Sequence, residues 1–195
     1  IFVYVVVEVG IPNIANLYMT GDLQINSTTA GTVVGTYWFL MLVGRLTGGV
    51  LGSKFSSKSM LSFAAVLGLV FVLLAIFLPK DQMVSMPVFQ SDISFGLAQV
   101  PVSIMLLVLC GLCTSVMWGG IFNLATEGLG KYTAAASGIF MVMVCGGGII
   151  PAVQGYAADI FGYVQSYGVV VIGITYMLFY ALVGSKNVNK DIKVD

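Results

Sequence analysis

The chain has 195 residues, 58% of them hydrophobic and 8% charged, against about 25% charged in an ordinary soluble domain. A soluble fold of this length has no single core able to hide so much apolar surface, so the solvent these segments suit is lipid. Eight basic and eight acidic residues cancel and histidine is absent, which leaves no basic face for nucleic acid and removes the commonest metal ligand and general base.

Six stretches are long and apolar enough to cross a bilayer, which takes about 20 helical residues. They run Ile1–Met19, Thr29–Gly52, Met60–Leu78, Val102–Ala125, Ala134–Ala157 and Val164–Leu182. None shows the sustained alternation of a membrane barrel, so the expected fold is an all-α membrane protein of six transmembrane helices. The expected organisation is a bundle over residues 1–184 and a polar cytoplasmic tail over 185–195. The opening Ile1, with neither methionine nor a signal-peptide pattern, is expected to mark a fragment of a longer protein.

Between the spans, Gly21, Asp22, Asn26 and Ser27 mark the first turn, with Ser27 or Thr28 available to cap the second helix. Ser56, Ser57 and Lys58 mark the second turn. The third connection, Pro79–Pro101, is the longest and contains Lys80, Asp81, Asp92 and one internal proline, Pro87. Glu127–Lys131 and Asp159–Gly162 supply the last two turns. With six spans the termini share one side with Lys54, Lys58, Lys131, Lys186, Lys190 and Lys193, and Arg45 leans toward it, whereas the other side holds only Lys80. That bias predicts both ends in the cytoplasm. The C-x-x-C formed by Cys110 and Cys113 lies inside the apolar run Ile104–Met117 and reads as two small hydrophobes one turn apart. No metal or cofactor is expected.

Polar groups inside hydrocarbon need a reason. Glu8 lies amid Val5, Val6, Val7 and Val9, with Asn16 about 80° and Asn13 about 140° round the helix at 100° per residue, and Pro12 frees a backbone carbonyl beside them. Glu8 is a ligand for substrate or proton, or a structural partner of a neighbouring helix. Trp38 lies seven residues before Arg45 on nearly the same face. Its ring suits the C–H face of a sugar, and simple packing is the alternative. Arg45 is assigned to holding the cytoplasmic side of the bundle. Asn123 and Glu127 share a face at i, i+4, with Lys131 one turn on, which suggests a gate or an interfacial ion pair. Pro151 after Gly146–Gly148 precludes a straight fifth helix, and Gln154 beside it is a hydrogen-bonding group for a sugar or for another helix. Glycines of the second span, among them Gly44 and Gly48, serve close helix packing.

Three segments together resemble the fucose/glucose–galactose/hexose permease branch of the major facilitator superfamily, specifically its second six-helix half. They are Gly44-Arg45-Leu46-Thr47-Gly48-Gly49, Ile121 through Gly128-Leu129-Gly130-Lys131, and Gly146-Gly147-Gly148-Ile149-Ile150-Pro151 with Gln154-Gly155. Gly49, Leu51, Lys54 and Lys58 are similar to the superfamily's basic cytoplasmic loop motif, while Ser53, Ser56 and Ser57 depart from it. Gly119 departs too, since relatives often carry proline there. The resemblance implies a bacterial inner-membrane symporter taking up a monosaccharide with a proton by alternating access. Taken with the embedded polar residues, the expected substrate ligands are Glu8, Asn13, Asn16, Trp38 and Gln154, with Glu8 on the proton path, and the expected structural or gating residues are Arg45, Lys54, Lys58, Asn123, Glu127, Lys131 and Pro151. Partners would be the bilayer and either a missing N-terminal half or a second copy. A passive sugar facilitator and a self-associating membrane module without transport activity remain alternatives. A membrane enzyme is the weakest option, because no nucleophile–base pair is visible.

Overall fold

In the computed structural model, which describes residues 1–90 and 92–186, six apolar helical spans form one bundle. The first four spans carry one helix each: α1 (Phe2–Gly21), α2 (Ser27–Leu51), α3 (Ser57–Phe77) and α4 (Val102–Thr126). The fifth, Gly130–Phe161, joins a 3-10 turn (Gly130–Tyr132), α5 (Thr133–Val142), a second 3-10 turn (Met143–Cys145) and α6 (Gly146–Phe161). The sixth, Tyr163–Gly184, joins α7 (Tyr163–Ser166), α8 (Gly168–Phe179) and a turn of π-helix (Tyr180–Gly184). Of the predicted tail, Ser185 and Lys186 are described; Asn187, Asn189, Lys190, Asp191, Lys193 and Asp195 lie outside the described residues.

Helix starts follow side-chain chemistry. Asn26 caps α2 by accepting from the Thr28 amide at 2.8 Å, in place of the expected Ser27 or Thr28. Ser56 caps α3 through the Ser59 amide at 3.2 Å, so α3 begins three residues before the apolar run suggested. The fifth span is interrupted at Met143–Cys145, one turn before the glycine run, while Pro151 sits within α6. Pro151 there removes an amide donor that the preceding turn would use.

Helices α1 and α4 form the centre: 67% of the 18-residue apolar stretch of the first span and 61% of that of the fourth are buried, against 12% of that of the fifth. Around α4 pack α2 and α3, and around α1 pack α6 and α8. Close approach of α2 to α4 depends on Gly44 and Gly48, where a methyl group would run into Ser115 and Val116 respectively.

The long connection has secondary structure of its own. It folds into an antiparallel hairpin, β1 (Met83–Phe89) and β2 (Phe95–Pro101), with Met86 opposite Ala98 and Phe89 opposite Phe95. Met86, Val88, Ala98 and Val100 are buried, against α2 and α4. The alternation is real but only seven residues long on each strand, too short to stand out between two helical spans.

Candidate functional site

The geometry around Glu8 begins with Pro12. Proline has no amide hydrogen, so the carbonyl of Glu8 loses its helical donor. Tyr37 of α2 replaces it, donating its hydroxyl to that carbonyl at 3.0 Å and lying 3.1 Å from Thr114 Oγ1 of α4. The Glu8 side chain is 11% exposed. Its Oε1 accepts from Arg45 Nη2 at 2.7 Å and from Tyr4 Oη at 2.8 Å, and Tyr4 Oη also reaches the Thr114 carbonyl at 3.1 Å. Three helices thus meet at one carboxylate and one threonine. A carboxylate in a bundle interior requires this density of donors.

The node opens on a cavity of about 630 Å³ lined by Glu8, Arg45, Gly49, Trp118, Asn123 and Ser57 among others. The Arg45 side chain is 50% exposed, so one face of the ion pair looks into the cavity. Trp118 stands edge-on to Tyr4 at 5.8 Å and to Phe140 at 5.7 Å between ring centroids. Asn123 Nδ2 donates to Ser57 Oγ at 3.3 Å. An apolar ring, an amide and an ion pair on one open wall can bind a small polyhydroxylated molecule through its C–H face and its hydroxyls.

The sequence-predicted residues distribute unevenly about this wall. Glu8, Arg45 and Asn123 line it together. Asn13 is exposed and Asn16 half-buried, beyond the cavity. Trp38, 42% exposed, stands edge-on to Tyr37 outside it. Gln154 is fully buried against Gly10 of α1, where any added methyl would strike its amide oxygen. Neither atom of that amide has a partner among the described residues. Lys58 Nζ donates to the Leu182 carbonyl at 3.3 Å, Lys54 and Glu127 are exposed, and Lys131 lies 5.7 Å from the Tyr132 ring centroid. Among the described residues no group of three or more His, Cys, Asp or Glu side chains has metal-site geometry.

Tyr4, Tyr37, Thr114 and Trp118 were missed by sequence reasoning. Aromatics in an apolar run read as packing, and the freed Glu8 carbonyl was the one signal that a donor had to arrive from another helix. The Glu8–Arg45 pairing was missed as well, since 37 positions separate its members and no spacing rule joins them.

Comparisons with known proteins agree on a family. A model described as the Major Facilitator Superfamily matches residues 1–191. A Helicobacter pylori protein named for glucose/galactose transport is 31% identical over 95% of this chain and 42% of its own length. A glucose/galactose transporter of Brucella abortus is 26% identical over 96% and 41%. The L-fucose-proton symporter of Escherichia coli is 27% identical over 74% and 27%. The crystal structure of the transporter FucP in its outward conformation superposes with a TM-score of 0.64 at 20% identity, covering 90% of this chain and 41% of that one. The chain therefore spans less than half the length of these relatives. With six apolar spans in one bundle and a family match along nearly its whole length, the chain belongs to the major facilitator superfamily of membrane transporters and is not an enzyme.

Proposed function

We propose that this chain is the C-terminal half of a secondary transporter that carries a monosaccharide of the glucose, galactose or fucose type together with a proton, by alternating access. The observation that carries this reading is the Glu8–Arg45–Tyr4 node on the wall of an open cavity that also presents Trp118 and Asn123. The names of the relatives supply the cargo class. Glu8 is the sugar ligand or proton-path carboxyl, because it is the one acidic side chain deep in a described span. Gln154 is a second ligand, its amide exposed to cargo when α6 moves relative to α1. Asn13, Asn16 and Trp38 belong to the same path on the half facing away from the chain ends. Arg45, Lys54, Lys58, Asn123, Glu127, Lys131 and Pro151 hold or gate the opposite half. The clustering of Lys54, Lys58, Lys131 and Lys186 on that side supports an inner-membrane orientation with both ends cytoplasmic.

The test is uptake of a monosaccharide panel into vesicles by the natural full-length protein, with and without an imposed proton gradient. Gradient-driven accumulation is expected, and Glu8→Gln should lower apparent sugar affinity by about tenfold or more, the loss of one charge-assisted hydrogen bond. Equal uptake and equal pH dependence of wild type and Glu8→Gln would instead establish the passive facilitator, a reading favoured by the engagement of Glu8 with Arg45. Absence of any sugar flux would leave a membrane module without transport activity.

A further inference from the structure

Glu8 uses its two carboxylate oxygens unequally. Oε1 accepts both from Arg45 Nη2 at 2.7 Å and from Tyr4 Oη at 2.8 Å. Oε2 has no hydrogen-bond partner among the described residues, yet it is not sealed within the bundle. Glu8 lines the cavity of about 630 Å³, so this second oxygen opens on it. Arg45 is used just as sparingly. A guanidinium carries five N–H donors in a fixed fork that can grip a carboxylate through both oxygens. Here the ion pair is made through Nη2 alone, and half of the side chain is exposed. Nε and Nη1 make no hydrogen bond among the described residues. A pair that served only to join α1 to α2 would gain by closing the fork on both oxygens. Two donors crowd onto Oε1 instead, which leaves an acceptor and several donors side by side on the cavity wall.

The space beside the pair is kept clear. Gly49, one turn beyond Arg45 on the same face of α2, and Gly119 of α4 both line the cavity, and an added methyl group at either would meet nothing within 4 Å. Gly44 and Gly48 differ, because there the side chains of α4 press on the glycine. Glycine weakens a helix relative to alanine, and at 49 and 119 no packing contact offsets that loss. What glycine leaves at these positions is room next to the guanidinium. Glu8 and Arg45 are also the charged residues on this wall, and they cancel, so the wall suits an uncharged molecule.

We propose that Glu8 Oε2 and the unused N–H donors of Arg45 form a two-point clamp for a vicinal diol on the cargo. One hydroxyl donates to Oε2, and its neighbour accepts from the guanidinium. Hydroxyls on adjacent ring carbons stand about one hydrogen-bond length apart, which matches a carboxylate oxygen beside a guanidinium N–H; a lone hydroxyl fills only half of the clamp. The clamp rests on the monosaccharide reading above and adds to it the feature recognised and a direct cargo contact for Arg45.

Equilibrium binding to the natural full-length protein in detergent tests this. Calorimetry is run with D-glucose, D-galactose and L-fucose, then with the monodeoxy analogues of each sugar that binds. Loss of the hydroxyl at two neighbouring ring positions should weaken binding by about tenfold to a hundredfold each, the range of a hydrogen bond to a charged group. Arg45→Lys keeps a positive charge beside Glu8 but removes the fork. In that variant the penalty at one of the two positions should fall at least fivefold while the other stays, with thermal unfolding confirming that the variant is folded. A third measurement needs no variant: bound sugar should slow modification of Arg45 by phenylglyoxal at least fivefold, read on the Arg45 peptide by mass spectrometry. Sensitive positions that are not neighbours would overturn the clamp and leave sugar binding standing. Arg45 modified equally fast with and without sugar, or penalties unchanged in folded Arg45→Lys, would do the same. Binding of none of the three sugars would overturn the clamp together with the cargo reading.

Discussion

At the level of single residues, Pro12 and Tyr37 are a matched pair. Proline withdraws the donor from the Glu8 carbonyl, and a hydroxyl from a second helix replaces it at 3.0 Å. Tyr37→Phe should destabilise the protein by about 1–3 kcal/mol, the cost of a buried polar group left without a partner. Pro12→Ala restores an amide at the correct place in α1, so the same Tyr37→Phe change should cost less in that background. Unfolding in detergent, analysed as a double-mutant cycle, measures the coupling; identical costs in both backgrounds would show that the tyrosine acts elsewhere. Gln154 poses the opposite problem, a fully buried amide without a partner among the described residues. Gln154→Leu should leave stability unchanged or raise it, because it removes an unsatisfied group of similar size. A loss of sugar affinity in the same variant would mark the amide as a cargo ligand, and intact affinity would remove it from that role.

Among elements, the α2–α4 seam is the packing contact most sensitive to volume. A methyl group at Gly44 meets both the Ser115 side chain and, at 3.3 Å, the backbone oxygen of Leu112, which cannot move aside. Gly44→Ala is therefore expected to cost about 1–3 kcal/mol of stability. Gly31, on the same helix, has nothing within 4 Å of such a methyl, and Gly31→Ala should be neutral or stabilising by up to about 1 kcal/mol. Thermal unfolding of the two variants side by side decides the matter, and equal shifts would mean that glycine in α2 serves something other than contact with α4. The hairpin shows how element identity escapes local pattern. Seven residues of alternation next to spans of more than twenty carry little weight, and only the packing of Met86, Val88, Ala98 and Val100 against the bundle makes the strands visible.

The molecule as a whole leaves one side open. The fifth span is mostly exposed, with Ile139, Val142, Ile149, Val153 and Tyr156 open along it. The chain also covers about two fifths of its Helicobacter and Brucella relatives. A second set of helices on this side would bury the span and complete the wall that carries Glu8 and Trp118. Expressed by itself, the 195-residue chain is expected to self-associate in mild detergent and to be inactive in sugar uptake. Light scattering and uptake after co-expression with the N-terminal six helices of a relative check this, and an active monomer would contradict it.

Composition and hydropathy alone determined the bilayer, the six spans and the short list of embedded polar groups, because apolar length is additive along a chain and needs no knowledge of neighbours. Glu8, Arg45 and Asn123 could be singled out because a polar atom in hydrocarbon is conspicuous wherever it sits. Which of them meet was decided by tertiary structure. The Arg45–Glu8 pair, the Tyr37 bond to a freed carbonyl and the preference for Trp118 over Trp38 on the cavity wall depend on helix rotation and crossing. Those are set by small-residue contacts such as Gly44 on Ser115, summed over the whole bundle, and no local spacing encodes that sum.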